Sequence, residues 1–163
     1  MDTCFFSGHR AIAFTDEVKT ALRNNILRCA QKGILTYITG GALGFDTEAA
    51  LAVLECRRTF SDIRLFVYIP CPQQANGWKE FDKRRWAAIN DMADRVEIIS
   101  PYYTKDCMKR RNFRMVDDAD CGIVYYDGSF RSGTGQTVRY ARRCGLPLIN
   151  LCRDMSGRRE PVY

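Results

Sequence analysis

A single histidine, His9, in 163 residues cannot complete a Cys/His metal cluster at the usual spacing. No two of the eight cysteines stand at C-x-x-C spacing, so neither a Cys/His metal cluster nor a dithiol redox centre is expected. The common phosphate signatures are missing too. There is no G-x-x-x-x-G-K-[ST], and no G-x-G-x-x-G directly after the first strand pattern. That removes the P-loop NTPases and the conventional NAD dehydrogenases. No apolar run approaches the length of a membrane span, so no membrane partner is expected. The opening Met1-Asp2-Thr3-Cys4-Phe5-Phe6 lacks a basic n-region and a long apolar h-region, and no signal peptide is read. Cys4, Cys29, Cys121 and Cys152 lie inside apolar patterns. They read as reduced, mostly buried thiols of a cytoplasmic protein, since a chain this long needs no disulfide staples.

What is present points to one globular domain. Hydrophobic residues make up 46% and charged residues 27%, enough for a full core and too few charges for disorder. The net charge of +6 favours anionic partners such as nucleotides or nucleic acid. The basic residues fall in separate clusters (Lys83-Arg84-Arg85, Lys109-Arg110-Arg111, Arg142-Arg143, Arg158-Arg159) rather than along one stripe.

Strand and helix patterns alternate through the chain. Strands are read at 3–7, 35–39, 64–69, 96–100, 121–126 and 147–152. Between the first two, Thr15 is a fitting N-cap, Val18, Leu22, Ile26 and Ala30 form an apolar stripe, and Gly33 ends the helix. Further helices are read from Thr47 to Arg57, from Trp78 to Ala93 with Phe81, Ile89 and Ala93 inward, from Asp106 to Asp118, and from the loop after Tyr126 to Gly145. Near-continuous apolar strands separated by helices imply an α/β fold. The expected form is Rossmann-like and doubly wound: a mainly parallel sheet of about six strands flanked by helices. It spans residues 1–152, and 153–163 read as a polar tail.

Such sheets bind ligands beyond the carboxyl ends of their strands. Three β→α loops there are glycine-containing and polar: Ser7-Gly8-His9-Arg10, Gly40-Gly41-Ala42-Leu43-Gly44-Phe45-Asp46, and Asp127 to Thr137. Small residues admit an anion to backbone N–H groups, and a helix N-terminus adds partial positive charge. Arg10 suits a phosphate or carboxylate. Asp46 is either a helix N-cap or a ribose contact. Met108, Asn112, Met115 and Val116 share a helix face bordered by Arg111, which places an amide in an apolar stripe. That amide bonds either a neighbouring loop or a ligand. Asp117 and Asp118 oppose the dipole at the end of this helix and so have another role. The expected ligand contacts are Ser7, Gly8, His9, Arg10, Gly40, Gly41, Ala42, Gly44, Asp46, Arg111, Asn112, Asp127, Ser132, Gly133, Thr134 and Thr137.

These motifs together with Met115-Val116-Asp117 and Ser132-Gly133-Thr134-Gly135-Gln136-Thr137 resemble the SLOG superfamily, nearest its YpsA-like branch, in order from about residue 3 to residue 152. The resemblance implies a Rossmann-like fold, a pocket for a nucleotide or nucleotide-derived ligand, and a homo-oligomer. Relatives in that superfamily include the LOG phosphoribohydrolases, which cleave a nucleotide N-glycosidic bond, and DNA-processing protein A, which binds single-stranded DNA. The LOG enzymes carry P-G-G-x-G-T-x-x-E; here Gln136 and Thr137 stand where the glutamate is expected, and neither moves a proton near neutral pH. The expected function is binding or sensing of a ligand such as ADP-ribose, an NAD-like molecule or a nucleoside phosphate. N-glycosidic hydrolysis and single-stranded nucleic-acid binding are the alternatives. No motif calls for a cofactor other than a bound nucleotide.

Overall fold

The computed structural model describes residues 2–152, so the tail expected at 153–163 lies outside the described residues. Eleven elements alternate: β1 Thr3–Gly8, α1 Asp16–Gln31, β2 Thr36–Thr39, α2 Phe45–Cys56, β3 Arg64–Ile69, α3 Glu80–Met92, β4 Arg95–Ile98, α4 Cys107–Asp117, β5 Cys121–Tyr125, α5 Gly133–Arg143 and β6 Leu148–Asn150. The strands form one sheet in the order β4-β3-β2-β1-β5-β6, every neighbouring pair parallel. The order reverses between β1 and β5, which makes their carboxyl ends the switch point where a crevice opens. No helix among the described residues is long and apolar enough to cross a membrane.

Strand alternation divides the core. Cys4 and Phe6 of β1 face one layer, with Leu65, Val67 and Ile69 of β3, under α1, α2 and α3. Phe5 and Tyr68 face the other, under Met115 and Val116 of α4 and Val138 and Ala141 of α5. Local signals set most boundaries. The Thr15 side chain accepts the N–H of Val18 and caps α1. Gly33 and Gly145, both at positive φ, follow α1 and α5.

Two expectations about α3 and β4 need correction. Phe81 is 70% exposed rather than inward. The inward side of α3 is set by Trp86, Ile89 and Ala93; Phe81, eight residues before Ile89, is rotated about 80° from it and off that stripe. Its ring is covered instead by the Arg85 guanidinium, 5.2 Å from the centroid. The fourth strand begins at Arg95 and is largely exposed, because it closes the sheet with a partner on one side only.

Leu22 is fully buried at the α1–α2 side of the core. Truncating it leaves a cavity that close packing cannot fill. Leu22→Ala should lower unfolding free energy by about 2–5 kcal/mol, read as a lower urea midpoint at unchanged slope.

Candidate functional site

The loop after β1 and the turn into α2 clasp each other. Phe45 donates its N–H to the His9 carbonyl at 3.2 Å. Gly44 takes φ +77°, and a Cβ there would stand 2.1 Å from the Arg10 carbonyl oxygen. A Cβ on Gly8 would stand 2.4 Å from the Phe45 ring. These two glycines are required for the approach of the loops to one another.

Behind the clasp lies a buried guanidinium. Arg111 of α4 is 4% exposed, which places it inside the wall rather than at its border. It donates through Nη1 to the Gly40 carbonyl and through Nε to Asn112 Oδ1 at 2.7 Å. Asn112 therefore orients the arginine next to it. Gly40 leaves the space this needs: a Cβ would lie 2.5 Å from Arg111 Nη1 and 2.8 Å from Asp46 Oδ2. Asp46 is not the N-cap of α2, a position that falls to Gly44. It sits in the first turn, buried, with its carboxylate turned back to accept the Ala42 N–H at 3.3 Å. Burial pushes this carboxyl up to about 6, against the pull of Arg111 and of the Ala42 and Gly40 N–H groups. Burial likewise lowers the Arg111 pKa, although Asp46 opposes it.

The third loop is held from within. Asp127 accepts the N–H and O–H of Ser129, and these bonds keep its carboxyl below its ordinary range. His9 Nε2 lies 3.1 Å from the Asp127 backbone N and 2.9 Å from its Oδ1. Nε2 accepts the peptide N–H when it carries no hydrogen, and donates to the carboxylate when it carries one. Ser132 caps α5 by accepting the Gly135 N–H at 2.9 Å, while its carbonyl accepts the N–H of Gln136. The N–H groups of Gly133 and Thr134, in the first turn of α5, have no such partner among the described residues. A Cβ on Gly133 would meet nothing within 4 Å.

These parts surround a cleft of about 450 Å³. Ser7, Gly8, His9 and Arg10 line it from β1, Ala42 and Asp46 from the second turn, Arg111 and Asn112 from α4, and Ser132, Gly133 and Thr134 from α5. Five expected residues lie elsewhere. Gly40 and Gly44 are packing positions, and Gly41 faces Gln74, Val67 and Trp86. Asp127 holds its own loop. Thr137 is fully buried with its hydroxyl on the Gly133 carbonyl at 2.8 Å. Two lining residues were not expected, Phe6 and Met108. Met108 was legible from its i, i+4 relation to Asn112; the strand pattern gave no sign that Phe6, fully buried, reaches the cleft. Asp117 and Asp118, flagged for opposing the dipole, accept the phenol hydroxyls of Tyr140 and Tyr68.

A profile of the YspA SLOG family matches residues 4–144. A UPF0398 protein of Bacillus thuringiensis (strain Al Hakam) is 28% identical over 130 residues, 78% of this chain and 71% of its own length. A UPF0398 protein of Halalkalibacterium halodurans is 29% identical over 125 residues, 76% of this chain and 65% of its own length. Among solved structures, DNA processing protein A from Helicobacter pylori, described for its single-stranded DNA binding mode, matches with a TM-score of 0.62 at 18% identity. That match covers 89% of this chain and 63% of the other, and it shows a shared fold.

Two outcomes follow from the geometry. Asp46 in an unfolded chain ionises near 4, and in the fold near 6. Its protonated form thus favours folding below pH 4, and that contribution is lost as pH rises through 6. The stability of the wild type relative to Asp46→Asn should fall between these values and then level off, as followed by urea midpoints. Gly44→Ala, strained in φ and in contact with the Arg10 carbonyl, should destabilise by at least about 1 kcal/mol, whereas Gly133→Ala should leave the thermal midpoint unchanged or slightly higher.

Proposed function

Because the chain belongs to the YspA SLOG family, we propose that it binds a nucleotide or nucleotide-derived ligand at the carboxyl edge of its sheet. The observation that carries this reading is the position of the cleft, at the carboxyl ends of the neighbouring strands β1 and β5, where the sheet order reverses and the connections after both strands line it. A phosphate fits at the start of α5, where the N–H groups of Gly133 and Thr134 and the dipole favour an anion. Arg10, exposed at the rim with its Nη2 3.5 Å from the Met108 sulfur, supplies positive charge to the same cleft. Asp46 and Asn112, deeper in, offer polar partners for ribose hydroxyls or a base. A volume of about 450 Å³ suits a ligand of that size. None of the eight cysteines is joined in a disulfide, in keeping with a cytoplasmic protein.

Cleavage has less support than binding. Of the two residues that stand where the LOG glutamate is expected, Gln136 and Thr137, neither is a carboxylate, and Thr137 is buried and already bonded within its helix. Asp46 is the carboxyl group that lines the cleft. Hydrolysis would appear as free base released from nucleoside monophosphates, abolished in Asp46→Asn.

Single-stranded nucleic acid is the second reading. It is favoured by the fold shared with DNA processing protein A and by exposed Phe130, whose ring lies 4.1 Å from the Arg139 guanidinium beside the same loop. Such binding would weaken steeply with salt.

Calorimetry against ADP-ribose, NAD, cyclic dinucleotides and nucleoside monophosphates should give saturable binding to at least one. Arg10→Ala should weaken it by about tenfold or more, as expected for a charge-assisted hydrogen bond. Gly133→Ala should weaken it by placing a methyl group in the cleft while the fold persists. Absence of binding by every compound at high micromolar concentration would refute the reading.

A further inference from the structure

The β4 edge carries a row of features that the ligand cleft does not use. Val96 and Ile98 are 42% and 52% exposed, and Met92, at the end of α3 just before the strand, is 50% exposed. Val96 and Ile98 stand in register with Val67 and Ile69, so they continue the apolar face that the sheet buries under α1, α2 and α3. Here that face runs out from under its helices. Arg95 and Glu97 alternate with them on the opposite face. Glu97 meets Arg95 at 2.9 Å and Arg114 of α4 at 3.1 Å.

The backbone on this edge is open as well. Arg64 donates its N–H to Leu35 next to β2, which turns Leu65, Val67 and Ile69 toward β4. Ile99 donates to Ile69 at 2.9 Å, and by the same alternation Arg95 and Glu97 face β3. Val96 and Ile98 are left with N–H and C=O groups pointing outward. An open edge with apolar side chains is a template for another strand.

We infer that this edge is a homodimer interface, in which β4 pairs antiparallel with β4 of a second copy about a two-fold axis through Val96. The sequence Arg95-Val96-Glu97 is complementary to itself when reversed. With the axis at Val96, the two valines form a hydrogen-bonded pair, and Arg95 of each copy stands opposite Glu97 of the other. Those flanking positions are non-hydrogen-bonded pairs, where side chains approach most closely. Moving the axis to Glu97 also joins open peptide groups but sets the two glutamates opposite each other, a destabilising like-charge pair. Charge therefore selects the first register. On the other face the two Val96 side chains pack against each other, and Ile98 of each copy lies beside them, opposite Asp94 of the other copy, whose carboxylate is held by Arg57; the interface is isologous and closes at two.

Sedimentation of the full chain at micromolar concentration should give a mass of about twice 18.7 kDa. Val96→Lys, at an exposed position, should give the monomer mass with an unchanged circular dichroism spectrum. Arg95→Glu alone and Glu97→Arg alone should each be monomeric, because each sets like charges opposite. Mixed together, the two should form a one-to-one heterodimer, since both flanking pairs are then restored. This exchange decides the matter even if Val96→Lys fails to fold. A monomer up to high micromolar concentration overturns the inference. So does a dimer that survives all three substitutions, which would lie on another face, or an edge that gains exchange protection only from an extended segment of a different protein.

Discussion

A guanidinium removed from water must find its hydrogen bonds inside the protein, and the arrangement of the cleft follows from where Arg111 finds them. Its main acceptor is the carbonyl of Gly40, the first residue after β2. That carbonyl also accepts from Gln74 Nε2 at 2.9 Å, and Gln74 Oε1 in turn accepts the indole N–H of Trp86 at 2.9 Å. One backbone oxygen thus joins α4 on one face of the sheet to α3 on the other. The Gly40 carbonyl keeps one donor if the other is lost, but losing Gln74 leaves the Trp86 indole N–H without its acceptor, at a cost of about 1–3 kcal/mol. The network rigidifies the back wall before any ligand arrives. Arg10 in front is the exposed charge of the cleft.

The same network explains why the glycines of the site do different work. Gly40 makes room for Arg111 and Asp46, Gly8 for Phe45, and Gly44 for the Arg10 carbonyl. They are glycines because neighbouring groups occupy the place of a Cβ. Gly133 is the opposite case, with open cleft where its side chain would be. A loop rich in glycine therefore does not by itself identify a phosphate cradle. Of these four, Gly133 alone has the emptiness that a bound group would fill, and it sits at a helix N-terminus with free N–H groups.

Much of the fold was legible because periodicity reports burial. The strand and helix alternation, the Thr15 cap and the glycine after α1 are all local signals, and the structure places them as read. The site was legible at the level of loops. Which residue of a loop faces the cleft depends on tertiary contacts. Thr137 and Gly133 stand four apart in one motif, yet the threonine turns its hydroxyl into the helix and the glycine faces open space. Arg111 was read at the border of an apolar stripe, since nothing local announces that a carbonyl from the distant Gly40 turn will satisfy an arginine there. Phe81 was misplaced for a related reason. An aromatic near the start of a helix suits either side, and Arg85 decides by covering its ring.

The β4 edge and the cleft lie at different parts of the sheet, and the symmetry proposed for the edge constrains the use of the cleft. A two-fold axis perpendicular to the sheet reverses strand direction between copies. The carboxyl edges, and with them the two clefts, then point in opposite directions across a continuous twelve-stranded sheet. Two small ligands would bind without touching each other or the interface. A single strand of nucleic acid running along one carboxyl edge would meet only one of the two clefts unless it passed around the end of the sheet. In the proposed dimer a compact nucleotide would reach each cleft separately, where a continuous polymer would not, and the buried Asp46 and Arg111 with Asn112 beside them form a wall on that same small scale.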